Sequence, residues 1–234
     1  MRLVPVTRES HYGKCLRPVS SFAYAAANSA TEVVLGEISQ VAACFPMFFT
    51  RQGNQFHLVA LMGLAAGENL FVDSSGVWTT SYVPAALRAY PFLLGANPSD
   101  GQPTVMIDED AGLLSEAEGE PLFGTGAEGA DGPLGRALRL LTQMSLEVNR
   151  TGTLITQLEQ YGLLRPAAQG GAEGGLLTVD EAALNALGDE QFLALRRSGA
   201  LAVAYGQMFS QAQLAQLQAR ANQRARARGA AMPS

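Results

Sequence analysis

The sequence predicts an α+β protein, with an antiparallel β-rich N-terminal part and helices mainly in the C-terminal half. Short aromatic and β-branched runs, separated by turn formers, fill residues 1–95. From Pro133 the apolar residues recur at helical spacing. The last part of the chain repeats helix-start and helix-stop signals.

Taken in order, Val33-Val34-Leu35, Cys44 to Phe49 and Phe56 to Leu61 are strand candidates, the last two parted by the turn residues Gln52-Gly53-Asn54. Pro46 suits an edge or a bulge within its run. Asn69 to Val72 and Val77 to Thr80 flank Asp73-Ser74-Ser75-Gly76, whose terminal Asp and Gly favour a type I turn and hence a hairpin. Pro84 opens and Pro91 closes a helical turn. Thr104 to Ile107 and Pro121 to Phe123 are further short strands. Pro133 sits well at a first helical position. Leu134, Leu138, Leu141, Ser145, Val148, Gly152 and Ile155 then form one stripe, which Thr151-Gly152-Thr153 is expected to break in two. Gly162 is the expected stop. Thr178 to Glu181 reads as a capping box, Asp189 as a second cap, Gly199 as a stop and Ser210 to Gln213 as another capping box. Leu201, Val203 and Tyr205 alternate like a strand, with helix as the alternative. The last helix loses its apolar face after Ala221, so Arg224 to Ser234 is expected to fray.

Residues 1–132 form the β-rich part, which includes an acidic loop region at 96–132. Residues 133–234 form a mainly helical part packed on it, within one compact domain. The Gly-rich stretch Gln169 to Gly175 is the best candidate for a division.

Composition excludes several functions. The 234 residues carry 16 basic and 21 acidic side chains, for a net charge of −5. A general nucleic-acid binder needs a basic face instead. Two Cys and two His are too few for a disulfide framework or for most zinc modules. The longest uncharged apolar-rich stretch, Gln55 to Gly67, falls short of the ~18–20 residues that span a bilayer. The first residues lack the apolar core of a signal peptide. A soluble, cytoplasmic protein without a transmembrane segment is therefore expected, barring a signal-independent export route; unpaired thiols fit a reducing compartment.

Candidate sites are few. Gly124 to Gly129 matches G-x-G-x-x-G, but the helix starts late and Glu120, Glu128 and Asp131 would repel a pyrophosphate, so it is taken as a Gly-rich loop. His11, Cys15, Cys44 and His57 have metal-ligand atoms at irregular spacing. Asp108-Glu109-Asp110 does not complete a calcium loop. No metal and no cofactor is expected. Arg220, Arg224 and Arg228 share a helix face with Arg226 beside them, read as a solvated tail or as a dock for an acidic surface such as the chain's own 100–131 stretch or an anionic membrane. Trp78, Tyr82, Arg88, Tyr90 and Phe92, with Glu68 and Asn69 nearby, make a candidate ligand pocket of aromatics around one cation. The competing structural account is core packing with Arg88 paired to Glu68.

Phe45-Pro46-Met47-Phe48-Phe49-Thr50, Leu61-Met62-Gly63-Leu64, Glu68 to Val72, Gly76-Val77-Trp78 and Tyr82 to Phe92 occur in that order. With His11, Glu37, Ile107-Asp108-Glu109, Leu122-Phe123, Leu184 to Leu187 and Gly199-Ala200-Leu201, they resemble the SapC family of bacterial proteins over nearly the whole chain. One departure is Gln207, at a position where the resemblance leads one to expect His. The resemblance implies an accessory or binding role in surface-layer or envelope biology, with an envelope or surface-layer protein, a small molecule or a peptide as partner and no nucleic acid. It brings no established reaction. The alternative is an enzyme, partnering an oxidative or peptide-modifying system, with a site around Glu68, Asp73, Arg88 and His57.

Overall fold

The computed structural model describes residues 2–98, 101–124, 131–168 and 175–230. Residues 125–129 of the G-x-G-x-x-G match and most of the Gln169–Gly175 division lie outside them. The strands are β1 (Leu3–Pro5), β2 (Cys15–Leu16), β3 (Ala30–Val33), β4 (Met47–Gln52), β5 (Gln55–Leu61), β6 (Phe92–Ala96), β7 (Pro103–Asp108), β8 (Leu114–Ser115), β9 (Glu120–Pro121), β10 (Leu164–Pro166) and β11 (Leu177–Val179). The helices are α1 (Arg8–His11), α2 (Ile38–Ala42), α3 (Ala85–Arg88), α4 (Pro133–Gln160), α5 (Glu181–Asn185), α6 (Asp189–Ser198), α7 (Ala200–Ser210) and α8 (Gln213–Ala230). Most strands come before residue 132 and the long helices after it, so the fold is α+β.

Among the described residues all strand pairs are antiparallel. They form a five-stranded sheet β10-β11-β4-β5-β3 and two three-stranded sheets, β1-β7-β6 and β8-β2-β9. The β4–β5 hairpin pairs Met47 with Ala60 through to Gln52 with Gln55, around a Gly53-Asn54 turn. Gly53 supplies the positive φ (59°) that a residue with a Cβ adopts only at a steric cost. Pro46 lies just before β4, where its missing N–H costs no ladder bond. The hairpin expected around Asp73–Gly76 reduces to a turn and a single bridge, Val72 to Trp78.

Two apolar cores result. The larger gathers Phe45, Met47, Phe49, Leu58 and Phe71 with Leu154, Ile155 and Leu158 of α4 and Val203 and Ala204 of α7. The smaller gathers Phe92, Val105, Ile107 and Leu122 with Ala137 and Leu141. The 28-residue α4 therefore joins both cores, one at each end. It is not broken at Thr151-Gly152-Thr153. Thr151 and Thr153 donate their hydroxyls to Glu147 O (2.7 Å) and Asn149 O (3.0 Å), so they fit inside a helix. Gly152 allows close approach: a Cβ there would lie 2.8 Å from Phe56 O.

The C-terminal expectations need five corrections. Thr178 lies in β11, which pairs with β4 and brings the second part of the chain into the five-stranded sheet. The cap of α5 is Asp180, accepting from Ala183 N at 3.1 Å. Gly188, not Asp189, is the N-cap of α6; Asp189 and Glu190 occupy the first turn, where the helix dipole favours acids. Leu201, Val203 and Tyr205 belong to the helix α7, entered through Gly199 at φ 95°. Ser210 ends α7 and its hydroxyl accepts from Met47 N at 2.9 Å, so it caps nothing.

The fifth correction concerns the tail. Helix α8 runs to Ala230 and its basic face is docked on the segment 68–79. Arg220 donates to Thr79 Oγ1 (2.9 Å) and lies over the Phe71 ring at 4.6 Å. Arg224 donates to Asn69 O (2.7 Å) and Val72 O (2.6 Å), and Arg228 pairs with Glu68. Carbonyls left over by the aborted hairpin thus take the place of the acidic surface. The acidic stretch is instead met by bases from elsewhere: Glu109 by Arg2, Glu116 by Lys14, Glu118 by Arg17 and Glu120 by Arg136.

Candidate functional site

The segment Trp78–Phe92 contains α3, and its aromatic residues are fixed one by one. The Trp78 indole N–H donates to Tyr82 O (2.8 Å), and the ring sits among Phe22, Phe45 and Phe71. The Tyr82 hydroxyl donates to Glu37 Oε2 (2.8 Å), a carboxylate only 4% exposed. The same oxygen accepts from Ala85 N, while Oε1 accepts from Val34 N. Tyr90 stacks on Tyr24 with ring centroids 3.8 Å apart and donates to Asp108 Oδ2 (3.3 Å), an acid 6% exposed. The Tyr24 hydroxyl donates to Leu87 O (2.8 Å). Arg88 is exposed, with its guanidinium 5.7 Å from the Tyr82 ring centre and 3.4 Å from the Tyr82 hydroxyl.

Arg88 thus lies against the Tyr82 ring, while the partly exposed Tyr24 and Tyr90 form a stacked pair whose Tyr24 hydroxyl is tied to Leu87, the residue before Arg88. Burial, then the Glu37 hydrogen bond and charge, push the Tyr82 phenol up to about 12. Burial, then Tyr90, push Tyr24 up to about 12. Burial and Asp108 raise Tyr90. The sign of the consequence follows. The unfolded chain releases these protons near the ordinary value of about 10, whereas the folded chain holds them. Stability from this source is complete below pH 10 and is lost as pH rises toward 12. The urea midpoint should stay level up to pH 10 and then decline; a rise above pH 10 would contradict the arrangement.

Other members of the predicted pocket lie elsewhere. Phe92 belongs to the smaller core. Asn69 is fully buried, donating to Ala25 O and accepting from Phe71 N, which is a structural task. Glu68 pairs with Arg228, not with Arg88. Asp73 accepts from Ser75 N and Val77 N within its turn. The sequence reading did not connect Glu37, Asp108 and Tyr24 with the tyrosines; Glu37 stood among the motif residues without an assigned task, and Asp108 was weighed only within the Asp108-Glu109-Asp110 cation candidate.

His57 has a different setting. Its Nδ1 lies 2.6 Å from Glu32 Oε1, across the β5–β3 pair. It lines a cleft of about 200 Å³ between β5 and α4, with Asn54, Gln55, Asn149, Thr153 and Thr156 on the walls. The other metal-type side chains have separate partners. His11 is 1% exposed, with Nδ1 beside Thr7. Its Nε2 lies 3.4 Å from Glu109 Oε1 without hydrogen-bond alignment. Cys44 Sγ meets Ser81 Oγ at 3.4 Å, and both thiols are free. Among the described residues no three His, Cys, Asp or Glu cluster as a metal site, and no helix is long and apolar enough to cross a membrane.

A family model described as SapC matches residues 6–217. The chain belongs to the SapC family. No curated protein and no solved structure matches it. In this SapC chain the family-like string Tyr82 to Phe92 is the segment that carries Tyr82, Arg88 and Tyr90.

Proposed function

We propose that this SapC protein is a binding protein, an accessory component of bacterial envelope or surface-layer biology, which recognises a protein or peptide partner through Tyr24, Tyr82, Arg88 and Tyr90. The observation that carries this reading is that the two tyrosines flanking Arg88 have their hydroxyls tied to buried carboxylates, Glu37 and Asp108. Rings held in this way lose little conformational entropy on binding. Tyr and Arg are also the side chains that dominate interface energetics. The single cation favours a partner that places a carboxylate opposite Arg88. A cytoplasmic location is part of the proposal, and the two free thiols fit a reducing compartment.

The enzyme alternative needs Glu68, Asp73, Arg88 and His57 in one cleft. They have different partners: Arg228, a turn backbone, Tyr82 and Glu32. The binding reading is therefore preferred.

Arg88 is exposed, so Arg88→Ala should fold normally. Affinity capture from the native host with wild-type protein should recover an envelope or surface-layer partner. The variant should lose it by about 2 kcal/mol, roughly thirtyfold in affinity. Recovery of no such partner by wild-type protein, or equal recovery by both, would remove the proposal.

A further inference from the structure

We propose that the cleft between β5 and α4 is a second binding site, separate from the Arg88 patch, for one small neutral polyhydroxyl molecule. Its walls carry no Asp, Glu, Lys or Arg. A charged ligand entering it would surrender hydration without a formal counter-charge, so the walls select a neutral one.

The polar atoms define the rest of the ligand's chemistry. Asn54, Gln55 and Asn149 each offer an amide oxygen and an NH₂ group. Thr153 and Thr156 have spent their hydroxyl protons on Asn149 O (3.0 Å) and Gly152 O (2.9 Å), so toward a ligand they accept. His57 adds a ring whose Nδ1 is engaged by Glu32 Oε1 at 2.6 Å. Acceptors therefore outnumber donors, which suits a ligand rich in O–H groups. The volume of about 200 Å³ lies below the ~300–1,000 Å³ of drug-sized sites and admits a single sugar ring.

Gly152 keeps this geometry by letting α4 approach Phe56 O closely. Apart from Asn54 in the β4–β5 turn, the walls come from two rigid elements, a paired strand and a continuous helix, so the site is preformed.

The test is an NMR titration of the full chain with D-glucose, using glucuronate and glucosamine as its anionic and cationic counterparts. Glucose should shift the backbone amides of Asn149, Gly152 and His57, with a millimolar dissociation constant, and both charged sugars should bind more weakly. Asn149→Ala combined with Thr153→Val, both at exposed positions, should weaken glucose about tenfold with an unchanged fold, the loss of one or two hydrogen bonds. Absence of glucose-induced shifts at these amides, tighter binding of a charged sugar, or an unaffected double variant would each overturn the assignment. None of these results bears on the Arg88 patch, whose side chains are not among the cleft walls.

Discussion

Gln207→Leu should cost this SapC protein about 2–4 kcal/mol, a large loss for a single polar side chain. Gln207 is fully buried in α7 and ties that helix to two strands at once. Its Oε1 accepts from Val179 N (3.0 Å), and its Nε2 donates to Met47 O (3.0 Å) and Thr178 Oγ1 (3.0 Å). Leucine fills similar space but leaves the Val179 N–H buried without an acceptor. An unpaired buried donor carries its whole desolvation penalty. At ~2–4 °C per kcal/mol for a chain of this size, the melting temperature should fall by about 5–15 °C. Gln211→Ala is the contrast. Gln211 also donates to Met47 O (2.7 Å), but that carbonyl keeps Gln207, so the loss should stay near 1 kcal/mol. Urea unfolding of the two variants side by side decides the matter; equal, small losses would mean that Gln207 does not join helix to sheet.

Glu37→Leu should cost a similar amount for a different reason. One carboxylate satisfies two buried backbone N–H groups, those of Val34 and Ala85, and the Tyr82 hydroxyl. Leucine orphans all three. Bonds to an ionised acceptor are worth about 1.5–3 kcal/mol each before relaxation, so a net loss of about 3 kcal/mol or more is expected. Glu37→Gln should lose roughly half as much, because the amide keeps one accepting oxygen and turns two donors toward the other groups. A second measurement separates this role from bulk packing. Burial and Glu37 together raise Tyr82, so removing Glu37 should bring the Tyr82 phenol down toward its ordinary value. A phenolate titration unchanged in both variants would contradict the arrangement and weaken the binding proposal, which relies on a fixed Tyr82 ring.

Much of the fold was legible because its signals are local. The turn between β4 and β5, the single helical turn between Pro84 and Pro91, the start of α4 at Pro133 and the stops at Gly162 and Gly199 all follow from backbone demands within a few residues. Alternation at 201–205 misled because apolar and alanine residues fit either period. Burial of Val203, Ala204 and Gln207 against the sheet selects the helix. The candidate site was half legible. Tyr82, Arg88 and Tyr90 stood out as a composition, but Glu37 and Asp108 lie 45 and 18 residues from the tyrosines they hold.

By itself, then, the sequence determined the fold class, the places where strands turn and helices stop, the scarcity of reactive side chains and the family. Tertiary structure decided which partner each charge takes. Nine acids without a base between 96 and 132 and six arginines without an acid after 190 read as solvated stretches, with mutual docking as the alternative. In the fold Glu109, Glu116, Glu118 and Glu120 meet Arg2, Lys14, Arg17 and Arg136, while Arg220, Arg224 and Arg228 of α8 meet Thr79, the Asn69 and Val72 carbonyls and Glu68. The reason is that charge counts carry no geometry. A guanidinium is satisfied by whatever acceptors lie within reach, and the packing of two distant cores along one helix sets that reach.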